Sequence, residues 1–397
     1  MNVIFLTLGR LTSLKENSIY HDLMREFVKR GDNVYIVTPA ERRSNGVTEL
    51  YESDGAHFLK VRTLNVQKTS MIEKGLGIVM LEWQYNRAIK RYLGDIKFDL
   101  VLYTTPPITL ANVVKALKKR NPKTFTYLLL KDIFPQNAVD MGVFSKRNPL
   151  YKLFRRKEKQ LYKASDFIGC LSPANKAYLQ KYDSYYPANQ IEINSNSVSL
   201  SELPYVDKKA IRGKYNLPMD KPIFVYGGNL GRPQDIDYVI RCMEDNVGKE
   251  DRYFLIVGSG TELPKLMKWS EDKSPDNIKV MSGLPKDEYA ELVQSCDVGL
   301  VFLDHRFLIP NYPSRILSYM EYKLPAIIAT DKNCDMGSIA EENGYGYWCE
   351  SVKAEDFTVL VDKMLKSDIK AMGEKGYEFL KNNYLVEQAY EKIVAHV

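Results

Sequence analysis

IFVYGGNLGRPQDIDYVI, residues 223–240, runs apolar from Ile223 to Tyr226 and then breaks into Gly227, Gly228, Asn229, Leu230, Gly231 and Arg232. Apolar residues return at Ile236, Val239, Ile240, Met243 and Val247. Steps of three, one and four mark one face of a helix, so the run reads as strand, glycine loop, helix. Glycines at such a junction let the backbone approach an anion, and the helix start adds oriented N–H groups and partial positive charge. Arg232 offers a forked, permanently charged donor that fits phosphate oxygens two at a time. The stretch predicts a phosphate site; the plainer alternative is a tight strand–helix turn with a solvated arginine.

The same alternation extends outward in both directions. Downstream, strands at 253–257, 278–281, 298–303 and 326–329 interleave with helices at 262–269, 286–296, 313–323 and 336–342. Helical segments at 354–366, 368–382 and 385–395 end the chain. Upstream lies a loop-like stretch, 195–222, preceded by strands at 2–8, 33–38, 57–61, 99–103, 124–130, 166–171 and 190–194. Between those strands stand helices at 18–30, 71–93, 108–119, 149–164 and 173–182. Strand and helix in alternation predict parallel sheets covered on both faces. At 397 residues the chain exceeds one ordinary core. We therefore read an α/β protein of two doubly wound, Rossmann-like domains facing across a cleft, spanning 1–200 and 201–380, with 381–397 a helix returning to the first. Ligands in open α/β sheets bind beyond the carboxyl ends of the strands, which places the glycine loop and Gly258-Ser259-Gly260 at a site.

Composition narrows the class. Hydrophobic residues at 45% and charged ones at 27% are those of a soluble globular protein. Five cysteines, mostly inside apolar runs and without metal-type spacing, predict reduced, buried thiols and a cytosolic setting. No apolar run reaches the length of a membrane-spanning helix, and the start reads as a first strand rather than a signal peptide. The net charge of +6 is unevenly spread: residues 1–200 hold 31 Lys+Arg against 18 Asp+Glu, the rest 25 against 32. A basic half faces something anionic: a membrane surface, nucleic acid or a phosphorylated substrate. The basic runs are not interleaved with aromatic stacking platforms, which argues against nucleic acid.

Several further elements stand in a recognisable order: DIFPQNAVDMG from Asp132 to Gly142, SDFIGCLSPANKAYL, Asn194 to Val198, GGNLGRPQD, LIVGSGTELPKL, and PSRILSYMEYKLPAIIA from Pro313 to Ala329. Together they resemble the retaining GT-B glycosyltransferases of family 4, in particular those that build bacterial capsule and O-antigen. The resemblance implies a transferase moving a sugar from a nucleotide-sugar (a UDP-sugar first) to a hydroxyl of a polyprenyl-diphosphate-linked saccharide. It also implies no metal and no cofactor. Charge grows on the leaving phosphate in such a reaction, and fixed donors there are the main help a protein gives. By the resemblance Arg232, Arg315, Lys131 and Asp132 are the candidate catalytic residues. Gly228, Asn229, Gly231, Gly258, Ser259, Gly260, Glu262, Ser314, Ser318 and Glu321 are the donor side, and Gly9 and the loop up to Asn17 border the acceptor.

The chain departs from the family pattern at three places. Pro310 and Ser318 stand where the broader family has two glutamates, so Ser318 or Glu321, a helical turn beyond, takes the ribose contact. Lys131 stands where the family often has histidine before the aspartate; Asp132 either orients a sugar hydroxyl or caps a helix starting near Pro135. These departures leave open a rival reading: a catalytically impaired paralogue that binds nucleotide-sugar as partner of another transferase. Asp235-Ile236-Asp237 matches a manganese-binding pattern of another transferase fold, but at a helix opening it reads as a cap. Helix 71–93 and the basic residues Arg155, Arg156, Lys157, Lys159 and Lys163 offer peripheral contact with an anionic membrane, on the inner face of the plasma membrane; the alternative is a core helix and a solvated face.

Overall fold

A computed structural model describes residues 1–65, 71–200 and 205–397. It divides into two compact units, Met1–Ser199 with Leu385–Val397, and Leu200–Tyr384.

The first unit runs β1 (Asn2–Leu6), α1 (Ile19–Lys29), β2 (Asn33–Glu41), β3 (Glu49–Ser53), β4 (Ala56–Thr63), α2 (Met71–Tyr92), β5 (Leu100–Thr104) and α3 (Ala111–Arg120). It continues with β6 (Phe125–Leu130), α4 (Gln136–Asp140), α5 (Pro149–Tyr162), β7 (Phe167–Cys170), α6 (Pro173–Tyr182) and β8 (Ile191–Ile193). The sheet order is β3-β4-β2-β1-β5-β6-β7-β8. All its pairs are parallel except β3–β4, a hairpin turning at Asp54-Gly55, both with positive φ. The hairpin strand went unread because ELYES carries two acids in five residues, a pattern typical of an exposed edge. Interior strands such as Leu100–Thr104 are buried at every position, as a sheet covered on both faces requires.

The second unit opens with α7 (Lys208–Lys214), inside the stretch that reads as loop from sequence. Asp207 caps it, accepting from Lys209 N and Ala210 N. Then follow β9 (Ile223–Asn229), α8 (Ile236–Glu244), β10 (Tyr253–Ser259), α9 (Leu263–Lys273), β11 (Ile278–Ser282), α10 (Lys286–Gln294), β12 (Val298–Phe302) and α11 (Arg315–Glu321). After them come β13 (Ala326–Thr330), α12 (Met336–Glu342), β14 (Gly346–Glu350), α13 (Ala354–Leu365) and α14 (Ile369–Asn383). Its parallel sheet has the order β11-β10-β9-β12-β13-β14. The order reverses between β9 and β12, the switch point beside which open sheets of this type bind ligands. The last helix, α15 (Val386–Val394), packs on the first unit. Tyr390 meets Phe27 edge-on and donates to Asp32, and Arg30 pairs with Glu391.

Helix α2 turns Leu81, Tyr85, Ala88 and Ile89 inward, and Tyr85 donates to Thr7 O at 2.8 Å. Met80 and Trp83 face outward, so the helix is neither wholly core nor wholly surface. The side chains of Leu76 and Ile78, which the sequence places on its apolar stripe, lie outside the described residues. All five cysteines are free and buried.

Candidate functional site

In the second unit the carboxyl ends of β9, β10 and β12 are laced together by the backbone. Leu230 N donates to Ser259 O, Glu262 N to Leu230 O, and Asp304 N to Pro233 O, at 2.9, 3.0 and 2.9 Å. Gly228 pairs with Gly258 and Asn229 with Ser259 along the ladder. This lacing explains two of the glycines. A Cβ at Gly258 would lie 2.1 Å from Gly228 O, and one at Gly260 2.2 Å from Leu230 O. Those two are required by loop-on-loop packing. Gly227 is closed off in the same way by the Tyr289 hydroxyl.

Gly228 differs. Its φ of 117° lies in the region that favours glycine, and the nearest atoms to its missing Cβ belong to the Arg315 guanidinium, 3.7 Å away. Arg315 is half-buried, its Cζ lies 4.3 Å from the Tyr226 ring centroid, and its Nη1 is buried without a hydrogen-bond partner. Among the described residues it makes no ion pair. A cation held in a partly desolvated place with a donor to spare beside open backbone can receive an anion.

Arg232 is exposed and makes no ion pair among the described residues. It heads a single 3-10 turn, Arg232–Gln234, ahead of α8. The expected helix-start site at the glycine loop is therefore altered. Asp235, with φ 46°, is the N-cap of α8 and accepts from Tyr238 N, so the helix end is capped by its own side chain. Asn229 also has a partner: Gln234 Oε1 accepts from Asn229 Nδ2 at 2.9 Å and from Gly231 N at 3.1 Å. Gln234 was missed by sequence reasoning, although a Gln three residues after a turn-opening glycine is the back half of a capping box.

Ser259 and Gly260 are exposed and Glu262 half-buried at the N-cap of α9, where its side chain makes no capping bond. Ser314 is exposed and likewise makes no capping bond. Helix α11 is only seven residues long, so its charge lies in the Arg315 side chain. Ser318 sits half-buried one turn beyond Arg315. Glu321 is the last residue of α11, about 9 Å along the axis from Arg315. Pro310 is buried.

Asp235, Asp304 and His305 offer ligand atoms within 4.8 Å of one another. Asp304 is already engaged: Arg306 Nε reaches both its oxygens at 2.9 and 3.1 Å, and Arg306 N donates to Oδ1. Burial alone would raise the Asp304 pKa, but these bonds hold it below the usual carboxylate range. An arginine thus supplies the positive charge at this cluster. Asp237 instead pairs with Lys265 on α9.

In the first unit, Lys131 and Asp132 follow β6. Thr105 Oγ1 accepts from both of their N–H groups at 3.1 Å and donates to Asp132 O at 2.9 Å. The capping alternative for Asp132 fails: the N-cap of α4 is Pro135, and both Asp132 oxygens receive Asn137 Nδ2 at 2.8 Å. Burial raises the Asp132 pKa to about 6 against the hydrogen bonds from Ile133 N and Asn137. Burial lowers that of Lys131 to about 7. Lys131 lines a cavity of roughly 10 Å³ with Tyr20, Asn194, Ser195 and Ser197. Gly9 accepts from Thr38 Oγ1 at 2.6 Å. Asn17 is exposed but tied, its Oδ1 accepting from Arg25, which also holds Leu14 O and Glu16 O.

Two family models tile the chain. Residues 17–202 match Glycosyltransferase Family 4 and residues 207–379 match Glycosyl transferases group 1. The chain belongs to the family 4 glycosyltransferases. Its fold is of the GT-B type, with two Rossmann-like units. It is 25% identical over 333 residues to the probable glycosyltransferase WbjE of Pseudomonas aeruginosa, covering 83% of this chain and 81% of that one. It is 26% identical over 135 residues to the putative colanic acid biosynthesis glycosyl transferase WcaI of Escherichia coli, covering 34% and 33%. Among solved structures, sucrose-phosphate synthase from Thermosynechococcus elongatus superposes on the whole chain over its own full length, with TM-score 0.77 at 15% identity, a likeness of fold.

Proposed function

We propose that this glycosyltransferase moves a sugar from a nucleoside-diphosphate sugar, UDP-sugars being the first to test, to a hydroxyl of a lipid-linked saccharide. The product would belong to a bacterial surface polysaccharide, such as capsule, O-antigen or exopolysaccharide; the colanic acid role named for WcaI supports that setting. The reaction retains the anomeric configuration and needs neither metal nor cofactor.

One observation carries the donor-site reading: the Arg315 guanidinium, with buried Nη1 unpartnered, beside Gly228. A diphosphate oxygen placed there accepts from the free Nη1, and its growing negative charge in the transition state meets a cation already desolvated. Tyr226 holds that cation by its ring face, and Gln234 holds Asn229 and Gly231 in place. Arg232, exposed on the adjoining turn, adds a second and more screened charge. Asp132, raised to about 6, suits a carboxyl that orients or relieves the acceptor hydroxyl near neutrality.

A second reading is favoured by one fact. The positions where the family carries glutamates hold a buried proline and a serine, Pro310 and Ser318. On that reading the chain binds nucleotide-sugar and does not turn it over.

A thermal-shift panel of UDP-, GDP-, dTDP- and CMP-sugars tests both. A ligand at 100 times its dissociation constant stabilises the fold by about 2.7 kcal/mol. We expect a shift with one nucleotide class, retained in EDTA and lost in Arg315→Gln. No shift with any donor overturns the donor-site reading. A shift without transfer to any lipid-linked acceptor supports the non-catalytic partner.

A further inference from the structure

The amino ends of the strands in the second unit carry a cavity of their own. It measures roughly 640 Å³ and lies where Pro222 enters β9, Asp297 enters β12 and Leu324 leads to β13. That volume is within the range of small-molecule sites. The seven residues of β9, at about 3.3 Å each, put roughly 20 Å between this cavity and the glycine loop. Its outline is part of the fold. Arg212, buried on α7, donates from Nε to Ser295 O at 2.9 Å and from Nη2 to Asp297 Oδ2 at 2.7 Å. The same Asp297 oxygen accepts from Ile223 N at 2.8 Å, which ties α7 to the entries of both strands. Helix α14 lies as close to the turn before β13: a Cβ at Gly373 would meet Lys323 O at 1.9 Å, and Lys323 pairs with Glu374.

The charge of the lining runs against its surroundings. Five cations and three acids line the cavity, although residues 201–397 as a whole hold 25 Lys+Arg against 32 Asp+Glu. Two of the acids are engaged, Asp297 by Arg212 and Glu374 by Lys323. Lys208, Lys221 and Lys370 remain against Asp220 alone, and none of these four makes an ion pair among the described residues. Stability does not account for the three lysines. Lys208 and Lys370 are exposed, and Lys370 stands in the first turn of the fifteen-residue α14, where a cation opposes the helix dipole. Tyr322 lines the same cavity half-buried, and its hydroxyl makes no hydrogen bond among the described residues. Met219 adds an apolar wall that is 52% exposed.

We propose that this cavity is a second anion site, which takes a phosphorylated small organic molecule such as a sugar phosphate. Lys208, Lys221 and Lys370 meet the phosphate, and Tyr322 and Met219 lie against the organic part. Uncompensated ammonium groups converging on one cavity select a compact anion over a neutral sugar, and lysine serves phosphate as a mobile point charge. Inorganic phosphate shares the first half of that chemistry and lacks the second. The inference goes beyond the proposed transfer reaction. Its test requires neither donor nor turnover, so each can fail alone.

The test is titration calorimetry of the full chain with glucose 6-phosphate and with inorganic phosphate. We expect glucose 6-phosphate to bind the more tightly and its affinity to fall about fivefold for each lysine removed in Lys208→Ala, Lys370→Ala and the pair. Both lysines are exposed and unpaired, so the melting temperature of these variants should equal that of the wild type. Binding should persist in Arg315→Gln, and Tyr322→Leu should weaken glucose 6-phosphate while leaving inorganic phosphate unchanged. Absence of glucose 6-phosphate binding overturns the proposal, and so does binding that ignores Lys208→Ala/Lys370→Ala. Binding lost in Arg315→Gln would place the probe at the donor site and overturn it as well. Equal affinity for the two probes, falling together in the lysine variants, would leave a site for inorganic anions and overturn the organic assignment.

Discussion

The Arg315 guanidinium lies 4.3 Å from the centroid of the Tyr226 ring, with one of its buried nitrogens unpartnered. The arrangement is poor for stability and good for receiving an anion. A buried donor without an acceptor costs about 1–3 kcal/mol, and the ring face returns part of that. Arg315→Met keeps the length and removes the unpaired donor. We expect its melting temperature to equal or exceed that of the wild type, while kcat/KM falls about a hundredfold or more. Arg315→Lys should recover only part, since an ammonium neither forks nor stacks as a guanidinium does. Steady-state kinetics beside thermal unfolding reads both, and a variant that loses stability with full activity refutes the assignment. Arg232→Ala, removing an exposed charge, should cost less than Arg315→Met.

Gln234 makes a prediction of a different kind. Its one oxygen receives both Asn229 Nδ2 and Gly231 N, so it fixes the glycine loop without standing among the residues proposed to meet the donor. Gln234→Ala removes two hydrogen bonds worth about 1 kcal/mol each. We expect donor KM to rise on the order of tenfold with a smaller change in kcat, and Gln234→Glu, which keeps an acceptor, to recover much of the loss. Equal falls in kcat and kcat/KM would place Gln234 at the reacting atoms instead.

The parallel sheets, the glycine junctions and the start of α11 were legible in the sequence because each rests on local pattern. Two strands were not. β3 is an acid-bearing edge and β14, Gly346–Glu350, is five residues that follow a helix without a strong period of their own. The glycines show a subtler limit. Gly228, Gly258 and Gly260 look alike in sequence, yet Gly258 and Gly260 answer to a neighbouring backbone and Gly228 to its own φ of 117°. Sequence shows that glycine is needed, and only the fold shows against what. Arg155 was read as part of a basic run facing an anionic membrane or solvent for the same reason: its partners Glu158 and Asp183 include one 28 residues away.

That correction is itself testable. Arg155 bridges Glu158 and Asp183, both carboxylates almost fully buried, while Arg156 next to it is exposed. Arg155→Ala should destabilise by about 3–5 kcal/mol, since two buried acids lose their common cation. Arg156→Ala should stay within about 0.5 kcal/mol. Burial outweighs Arg155 and raises the Glu158 pKa to about 7. A carboxyl raised on folding contributes stability that is present below its unfolded value and lost as pH rises through 7. Without Arg155 the penalty for charging Glu158 grows, so the deficit of Arg155→Ala should shrink on going from pH 8 to pH 5. A deficit independent of pH would mean that the ion network is not its source.

Lys131 titrates in the opposite sense. Burial brings its folded pKa to about 7 from 10.5, and the cavity it lines is closed by Tyr20, Asn194, Ser195 and Ser197 rather than by an acid. A lysine depressed on folding contributes stability that is present above its unfolded pKa and lost as pH falls through 7. Lys131→Met, which fits the same space without charge, should therefore match the wild type near pH 10.5 and gain on it as pH falls. Near pH 7 the gain levels off at on the order of 5 kcal/mol. Asp132, raised by burial to about 6, titrates in the folded state below this window and leaves the comparison between pH 7 and 10 undisturbed. Denaturant unfolding of both proteins across that range gives the curve directly. If the difference stays flat, Lys131 keeps its charge in the fold through a partner it does not show here; if it follows the predicted slope, a half-neutral amine stands next to the candidate acceptor carboxyl at neutral pH, and turnover of Lys131→Met then reports whether the reaction uses it.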